Sequence, residues 1–221
     1  MRTNTKRLTA AAVFSALAFG ISLLCNVIPV CLVPGLPFLH YDAKDVLITL
    51  CGFIYGPVYA LAVSLVASVL EFTISSTGVI GMIMNFLSSA VFACTASLIY
   101  KYIKNIKGAI LGLFASVVLT TAFMLGWNYL ISPYYMGVSR EAISAMLLPG
   151  FLPFNLLKSG INMGICLLVY KPVITTLRMA GFVERKGENA IRLKSSLPSL
   201  IIGIFAILVC IAVALHYNGI I

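Results

Sequence analysis

Apolar residues in this chain come in long blocks, separated by short segments rich in glycine, proline and charged residues. A block of about 20 mostly apolar residues is long enough for an α-helix to cross the hydrocarbon core of a bilayer. The pattern predicts seven membrane-spanning helices, at roughly 8–28, 42–55, 57–74, 78–100, 108–131, 150–171 and 197–217.

The second predicted helix is the shortest, and it begins with Asp42, Lys44 and Asp45. Because charged residues favour the membrane surface, we expect this helix to lie partly in the interface. Gly56-Pro57 follows it directly. Glycine is favoured at a helix end and proline in a first helical turn, so the pair predicts a tight turn into the third helix.

Composition places the chain outside the soluble proteins. Of its 221 residues 61% are hydrophobic and 10% charged, against about 45–50% and about 25% in soluble domains. The fold class is therefore an all-α integral membrane protein. The polar stretch RMAGFVERKGENAIRLKSS at 178–196 separates the last helix from the others. We divide the chain into a six-helix membrane domain (1–176), a basic cytoplasmic linker (177–196) and an additional C-terminal transmembrane helix (197–221).

The net charge of +9 reports orientation in the membrane. With the N-terminus in the cytoplasm, 12 of the 15 basic residues fall on that side, as expected from the bias of Lys and Arg toward cytoplasmic loops. Lys44 and Arg140 then fall outside, and Lys158 is the one basic residue left within a helix. Topology accounts for the charge without nucleic-acid binding, and seven spans leave the C-terminus outside the cell.

The residues needed for several kinds of chemistry are missing. His40 and His216 have no partner at metal-binding spacing, and no glycine-rich loop ends in Gly-Lys-Ser/Thr to hold nucleotide phosphates. The six cysteines form no C-x-x-C pair, although a disulfide between Cys25 and Cys31 is compatible with the spacing. We therefore expect no metal site, no catalytic residues and no enzymatic activity.

Polar side chains at membrane depth are few, and a charged one costs roughly 2.5–3.5 kcal/mol at the centre of a helix. Asn155, Lys158 and Asn162 lie three and four residues apart, so they share one helix face. In the predicted topology this face starts just under the outer surface. Polar residues of other helices lie at the same depth: Asp42, Asp45, Glu71, Asn85 and Asn128.

Two interpretations of these residues remain open. In one, Lys158 pairs with Glu71 or with a carboxylate of the second helix, and the amides only join helices. In the other, the residues line a cavity that opens to the outside and orients a small molecule. Tyr41 and Trp127 at the same rim are suited to stacking on a ring, but an aromatic belt at the interface predicts them equally well.

Small residues recur every four positions on the first helix, at Ala12, Ala16 and Gly20. Such a face lets another helix approach closely, either within the bundle or from a partner chain. Gly52/Gly56, Gly108/Gly112 and Gly160/Gly164 have the same spacing, and for these we expect packing inside the bundle.

The sequence resembles the substrate-binding S components of energy-coupling factor (ECF) vitamin transporters, and among them is most similar to the riboflavin-specific S component. The resemblance covers roughly residues 8–176. Besides the small-residue face, it rests on three strings: LHYDAKDVLITLCGFIYGP at 39–57, TGVIGMIMNFLSSAVF at 77–92 and LPFNLLKSGINMGICLLVYK at 152–171.

The resemblance implies a six-helix bundle in which the loop at about 29–41 closes over a pocket that faces outside. Leu36, Leu39 and Tyr41 would be residues of this lid. The implied vitamin contacts lie on the outer parts of the fourth to sixth helices. The candidate substrate-binding residues are Leu39, Tyr41, Thr77, Asn85, Trp127, Asn128, Asn155 and Lys158.

The resemblance also implies partners. The chain would bind riboflavin as its transported ligand, with no cofactor, and would deliver it inward by reorienting in complex with a transmembrane coupling subunit and two ATPase subunits. ATP would be used by those partner subunits. The face of Ala12, Ala16 and Gly20 would dock the coupling subunit. The last helix departs from the family, whose core ends after six spans.

Other functions are also compatible with these residues. The ligand could be another vitamin or precursor, such as thiamine, pantothenate, folate or a queuosine precursor. A carboxylated ligand would suit Lys158 as a counter-ion, whereas riboflavin is neutral. An intramembrane enzyme or a structural scaffold is the alternative from another class, and neither would need an outward pocket.

Overall fold

The computed structural model describes residues 2–34, 36, 39–74, 78–179 and 197–219, and these residues are almost entirely helical. The elements are α1 Arg2–Val27, α2 Lys44–Tyr55, α3 Pro57–Phe72, α4 Gly78–Tyr102, α5 Ile106–Met136, α6 Arg140–Met146, a π-helical turn Leu147–Phe151, α7 Leu152–Met179 and α8 Leu197–Tyr217. This confirms the all-α membrane class. The linker predicted at 177–196 lies from residue 180 onward outside the described residues.

Within the described parts of the chain, five apolar segments are long enough to cross a membrane: Thr5–Val27, Gly78–Tyr102, Ile106–Tyr134, Arg140–Thr176 and Leu197–Tyr217. Two of the predicted spans are shorter, because α2 has 12 residues and α3 has 16. At about 1.5 Å per residue, α2 is only about 18 Å long. It therefore does not cross the hydrocarbon core by itself.

Helix α2 is central to the bundle. That it lies partly in the interface stays a prediction, because packing against other helices does not fix its depth in the membrane. It packs against α1, α3, α4 and α7. Its charged first turn is buried with the rest: Lys44 is 0% and Asp45 2% exposed. A hydropathy scale assigns each charged residue a high cost of burial. It takes no account of the opposite charges that other elements place beside Lys44 and Asp45 in the folded chain.

The turn between α2 and α3 has the predicted form. Gly56 ends α2 with φ of +100°, and Pro57 occupies the first turn of α3. A positive φ of this kind is readily adopted only by glycine. The turn directs α3 back along α2, and both helices then pack against α4.

Glycines mark close helix contacts at four of the six positions for which packing was expected: Gly52, Gly112, Gly160 and Gly164. Nothing lies within 4 Å of a Cβ at Gly56, and the nearest atoms to one at Gly108 belong to Ile103. An added Cβ at Gly112 of α5 would lie 2.7 Å from the Ala96 carbonyl oxygen of α4. On α7, a Cβ at Gly160 would meet Cys210 Sγ at 2.7 Å, and one at Gly164 would meet the Gly203 carbonyl oxygen at 2.9 Å. Helix α8 is therefore seated directly on the glycine face of α7.

The segment 140–151 precedes α7, and its residues 140–149 were not predicted as helix. It forms α6 and the π-helical turn, which lead into α7. The loop 28–43 packs on this segment through an apolar cluster, which we call the loop cluster. Its buried members are Leu32, Val33, Leu36, Leu39, Ile143, Phe151, Phe154 and Leu157. Leu36 is only 1% exposed and fills the space beside Gly150, where an added Cβ would lie 2.8 Å from Leu36 Cδ1.

The close packing of Leu36 beside Gly150 generates a first prediction. Replacing Gly150 with Val places two methyl groups where the Leu36 side chain lies, so the loop must shift. We expect Gly150→Val to lower the free energy of unfolding by about 1–3 kcal/mol, the usual cost of overpacking. Equilibrium unfolding in mixed micelles would measure it. Gly126→Val is the matched control, since nothing lies within 4 Å of a Cβ there, and equal losses in both variants would contradict the prediction.

Candidate functional site

A cavity of about 500 Å³ lies under the loop 28–43 at one end of the bundle. Cavities of this size hold small organic molecules. Its wall is built by the loop and by the neighbouring parts of α1, α3, α4, α5 and α7. The lining residues are Ser22, Cys25, Asn26, Pro29, Leu39, His40, Tyr41, Asp42, Glu71, Ile74, Ile80, Gly81, Met84, Asn85, Ser88, Met124, Asn128, Phe154, Asn155 and Lys158.

Six of the eight candidate substrate-binding residues line this cavity. They are Leu39, Tyr41, Asn85, Asn128, Asn155 and Lys158. Thr77 lies outside the described residues. Trp127 is not in the lining; its ring stacks on Phe123 at 6.4 Å between centroids, and its Nε1 is buried without a hydrogen-bond partner among the described residues.

Five ionisable side chains lie together at this end of the bundle, and we call them the charged cluster: Asp42, Lys44, Asp45, Glu71 and Lys158. Asp42, Glu71 and Lys158 line the cavity, whereas Lys44 and Asp45 are buried beside them. The Lys44 ammonium lies 2.5 Å from Glu71 Oε2 and 3.1 Å from Asp42 Oδ2. Lys158 Nζ lies 3.7 Å from Asp45 Oδ2. Each ammonium group therefore faces at least one carboxylate.

One expectation about the lysines changes. Lys158 was expected to be the one basic residue within a helix, but Lys44 lies in the first turn of α2 and is 0% exposed, more deeply buried than Lys158 at 7%. Glu71, one suggested partner of Lys158, instead pairs with Lys44, and Lys158 faces Asp45 of α2. Lys158 also lines the cavity, so pairing and a position at the cavity wall are both realised.

Hydrogen bonds from neutral side chains hold the carboxylates in place. Asn85 donates to Glu71 Oε2 at 2.6 Å, and Ser89 donates to Asp45 Oδ1 at 2.5 Å. Asn162 donates to Asp45 Oδ2 at 3.2 Å and accepts from the Tyr41 hydroxyl at 2.7 Å. The cluster thereby ties α2 to α3, α4, α7 and the loop.

The remaining candidate asparagines use their amide nitrogens within their own helices. Asn128 donates to the Met124 carbonyl oxygen at 2.7 Å and accepts from Ser132, and Asn155 donates to the Phe151 carbonyl oxygen at 2.8 Å. Both side chains are nevertheless part of the cavity wall. These bonds fix the orientation of each amide before any ligand arrives.

One carboxylate oxygen of Glu71 is available to accept a hydrogen bond. Its Oε2 accepts from Lys44 and Asn85, whereas Oε1 is buried and has no hydrogen-bond partner among the described residues. The side chain is 5% exposed and lines the cavity. A buried carboxylate oxygen without a donor is costly, so it is a natural acceptor for an N–H or O–H group of a ligand.

Sequence reasoning missed several lining residues. Ser22, Cys25 and Asn26 lie on α1, which we expected to contribute only a docking face. Their spacing of three and four residues puts them on one helix face, and this pattern was visible in the sequence. Asp42 and Glu71 were recognised from the sequence as polar residues at this depth, and both line the cavity although they were not among the candidate substrate-binding residues.

The small-residue face of α1 lies away from the cavity. Ala12 and Ala16 are exposed, and nothing lies within 4 Å of a Cβ placed on Gly20. This face therefore differs from the glycines of α5 and α7, which their neighbours already cover. The six cysteines are free thiols, including Cys25 and Cys31.

Comparisons with known proteins point to one family. A family model described as "ECF transporter, substrate-specific component" matches residues 6–170. The chain is 30% identical over 188 residues to the riboflavin transporter RibU of Staphylococcus aureus, covering 82% of this chain and 94% of that protein. It is 30% identical over 191 residues to the riboflavin transporter FmnP of Bacillus subtilis, covering 80% and 98%.

A solved structure agrees with these matches. It is described as the structure and mechanism of the S component of a bacterial ECF transporter. The two folds superpose with a TM-score of 0.68 at 29% identity, over 79% of this chain and 99% of that one. The family model ends before α8 begins.

The charged cluster generates a second prediction. Lys44→Met keeps an unbranched side chain but leaves Asp42 and Glu71 buried without their counter-ion. Breaking a buried pair in this way costs about 3–5 kcal/mol, so we expect unfolding at a correspondingly lower denaturant concentration. Lys101→Met, at an exposed position, is the control.

The double variant Lys44→Met with Glu71→Gln separates loss of charge balance from loss of packing. It removes one of the two stranded negative charges, so it should recover part of the lost stability. A double variant that is less stable than Lys44→Met alone would contradict this explanation.

Proposed function

This chain belongs to the family of substrate-specific components of ECF transporters, and we propose that it is the riboflavin-binding subunit of such a transporter. The observation that carries the proposal is the cavity under the loop, which brings together six separately predicted side chains. The relatives named as riboflavin transporters match this chain over nearly their whole length.

The mixed lining of the cavity suits riboflavin. The ligand has a flat ring with an apolar dimethylbenzene end, a pyrimidine-like edge with an N–H group, and a chain of hydroxyls. Leu39, Met84, Met124 and Phe154 supply apolar and polarizable surface for the ring. The polar lining residues supply donors and acceptors, among them the free oxygen of Glu71.

The charge of the cavity wall favours a neutral ligand. The cluster holds three carboxylates and two ammonium groups, so with all five ionised it has a slight negative excess. Lys158 was the reason to consider a carboxylated vitamin, but its ammonium already faces Asp45. A ligand carboxylate would enter a site with no ammonium group left over to balance it.

The proposed orientation puts the cavity outside. The α4–α5 turn, with Lys101, Lys104 and Lys107, lies at the end of α4 opposite to Asn85. Basic loops favour the cytoplasm, so the cavity end faces outward and the N-terminus lies inside. Helix α8 runs antiparallel to α7, which leaves the C-terminus outside.

The exposed face of Ala12, Ala16 and Gly20 is the proposed docking site for a transmembrane coupling subunit, which works with two ATPase subunits. Small residues allow close helix approach, and this face is left uncovered by the rest of the described chain. ATP hydrolysis on the partners would then drive reorientation of the loaded subunit and release of riboflavin inside.

Binding of riboflavin is a third prediction. The purified protein should quench riboflavin fluorescence on titration, and a preparation from riboflavin-containing cells should be yellow. Asn155→Ala should weaken binding by about 1–3 kcal/mol, because a buried partner group loses its hydrogen bond. Leu156→Ala, which changes a neighbouring side chain exposed on the outer surface of α7, should bind like the wild type.

A colourless protein that does not quench riboflavin would contradict the substrate. Thiamine, pantothenate and folate should be titrated in parallel, since tight binding of one of these would identify another S component. Equal affinity of Asn155→Ala and the wild type would remove Asn155 from the binding site.

Docking at α1 is a fourth prediction. Ala16→Trp puts a bulky ring on the small-residue face, so we expect loss of co-purification with the coupling and ATPase subunits and loss of uptake, with unchanged riboflavin affinity. Val118→Trp, at an exposed position of α5, should keep both. Normal uptake by the Ala16→Trp variant would reject docking through this face.

A further inference from the structure

Helix α8 contacts little of the chain apart from α7. Ser199 and Gly203 are its buried residues, and most of its large apolar side chains are exposed, as expected for a surface that faces lipid. Its closest contacts with α7 run from Gly203 against Gly164 to Cys210 against Gly160. The two helices are therefore antiparallel, and the C-terminal half of α8 approaches the cavity end of the bundle.

The C-terminal half of α8 reaches the loop 28–43. Cys210 and Ala214 pack against the loop cluster. Just beyond the helix, Asn218 Nδ2 lies 3.5 Å from the Leu32 carbonyl oxygen and donates to the Ala214 carbonyl oxygen at 2.7 Å. The end of α8 thus meets the backbone of the loop itself.

The same loop forms one wall of the cavity. Leu39, His40 and Tyr41 line it. The described backbone hydrogen bonds that close the loop are few, with Tyr41 N to Val30 O at 2.9 Å joining its two ends. The end of the loop near α2 is also anchored by hydrogen bonds of Tyr41 and Asp42 with Asn162. The part around Leu32, Val33 and Leu36 is positioned by side chains packed in the loop cluster, which α8 supports from outside.

We propose that α8 is a positioning element for the loop, holding it closed over the ligand cavity and so slowing ligand release. The part that concerns release rests on the proposed riboflavin binding, whereas the part that concerns the loop does not. Gly203 and Asn218 are the two residues through which α8 acts, the first by seating the helix on α7 and the second by contacting Leu32.

The test uses the full-length protein in lipid nanodiscs and two measurements. Amide hydrogen exchange at Leu32, Val33, Leu36 and Leu39 reports the loop, with or without ligand. Stopped-flow fluorescence reports the riboflavin release rate. Gly203→Leu moves α8 away from α7, since a Cβ there would lie 2.9 Å from the Gly164 carbonyl oxygen. Asn218→Ala removes the contact with Leu32 and the hydrogen bond to the Ala214 carbonyl oxygen, but leaves the packing of α8 on α7. Ala212→Leu adds bulk at an exposed position of α8.

We expect Gly203→Leu to speed loop exchange by at least about tenfold, because local opening is held back by local contacts. Riboflavin release should rise about three- to tenfold with little change in association, the usual pattern for binding-site variants. Asn218→Ala should act in the same direction and more weakly, and Ala212→Leu should match the wild type.

If hydrogen exchange in the loop is unchanged in both Gly203→Leu and Asn218→Ala, the inference is overturned, whatever the riboflavin release rate. If Gly203→Leu does not fold, unchanged exchange in Asn218→Ala overturns it alone. Faster loop exchange in a protein that does not bind riboflavin would support positioning by α8 while rejecting the proposed substrate.

Discussion

Neutralising the charges buried at one end of the bundle is the constraint on which the rest of the structure depends. An unpaired ammonium or carboxylate at this depth would cost several kcal/mol. Lys44 and Asp45 therefore require partners from other elements, and they find them on α3, α7 and the loop. Because of this requirement, the first turn of α2 lies in the centre of the bundle. The last turn of α3, which carries Glu71, lies beside it, and Lys158 lies at the cavity wall.

The sequence predicts the long helices well, because a run of apolar residues is a local property. The predicted span 78–100 corresponds to Gly78–Tyr102, and 197–217 coincides with α8. The central position of α2 could not be read in this way, since it depends on contacts between residues far apart in the sequence, such as the hydrogen bond between Asn162 and Asp45, which are 117 positions apart. The helical segment 140–149 was missed because the proline and glycine at 149 and 150 obscure the pattern.

The site, like the fold, was predicted well where the signal is local and poorly where it depends on contacts between distant residues. Asparagines on apolar helices were recognisable as unusual, and Asn85, Asn128 and Asn155 do meet at the cavity. The direction of a single side chain is harder to infer, because one residue along a helix turns it by about 100°. Asn128 therefore lines the cavity while its neighbour Trp127 stacks on Phe123 instead. Pairing of Lys44 with Glu71 likewise needed the folded chain.

The shortness of α2 has a consequence for the surrounding membrane. With 12 residues it is about 18 Å long, well below the roughly 30 Å of a hydrocarbon core. Its 16-residue neighbour α3 is short as well. Lipid beside the exposed apolar face of α3 must become thinner, because a bilayer responds to a short span by thinning, and this response has a modest elastic cost. Because α1 packs on both short helices, the deformation borders its small-residue face, so a partner docking there would relieve elastic stress as well as form contacts.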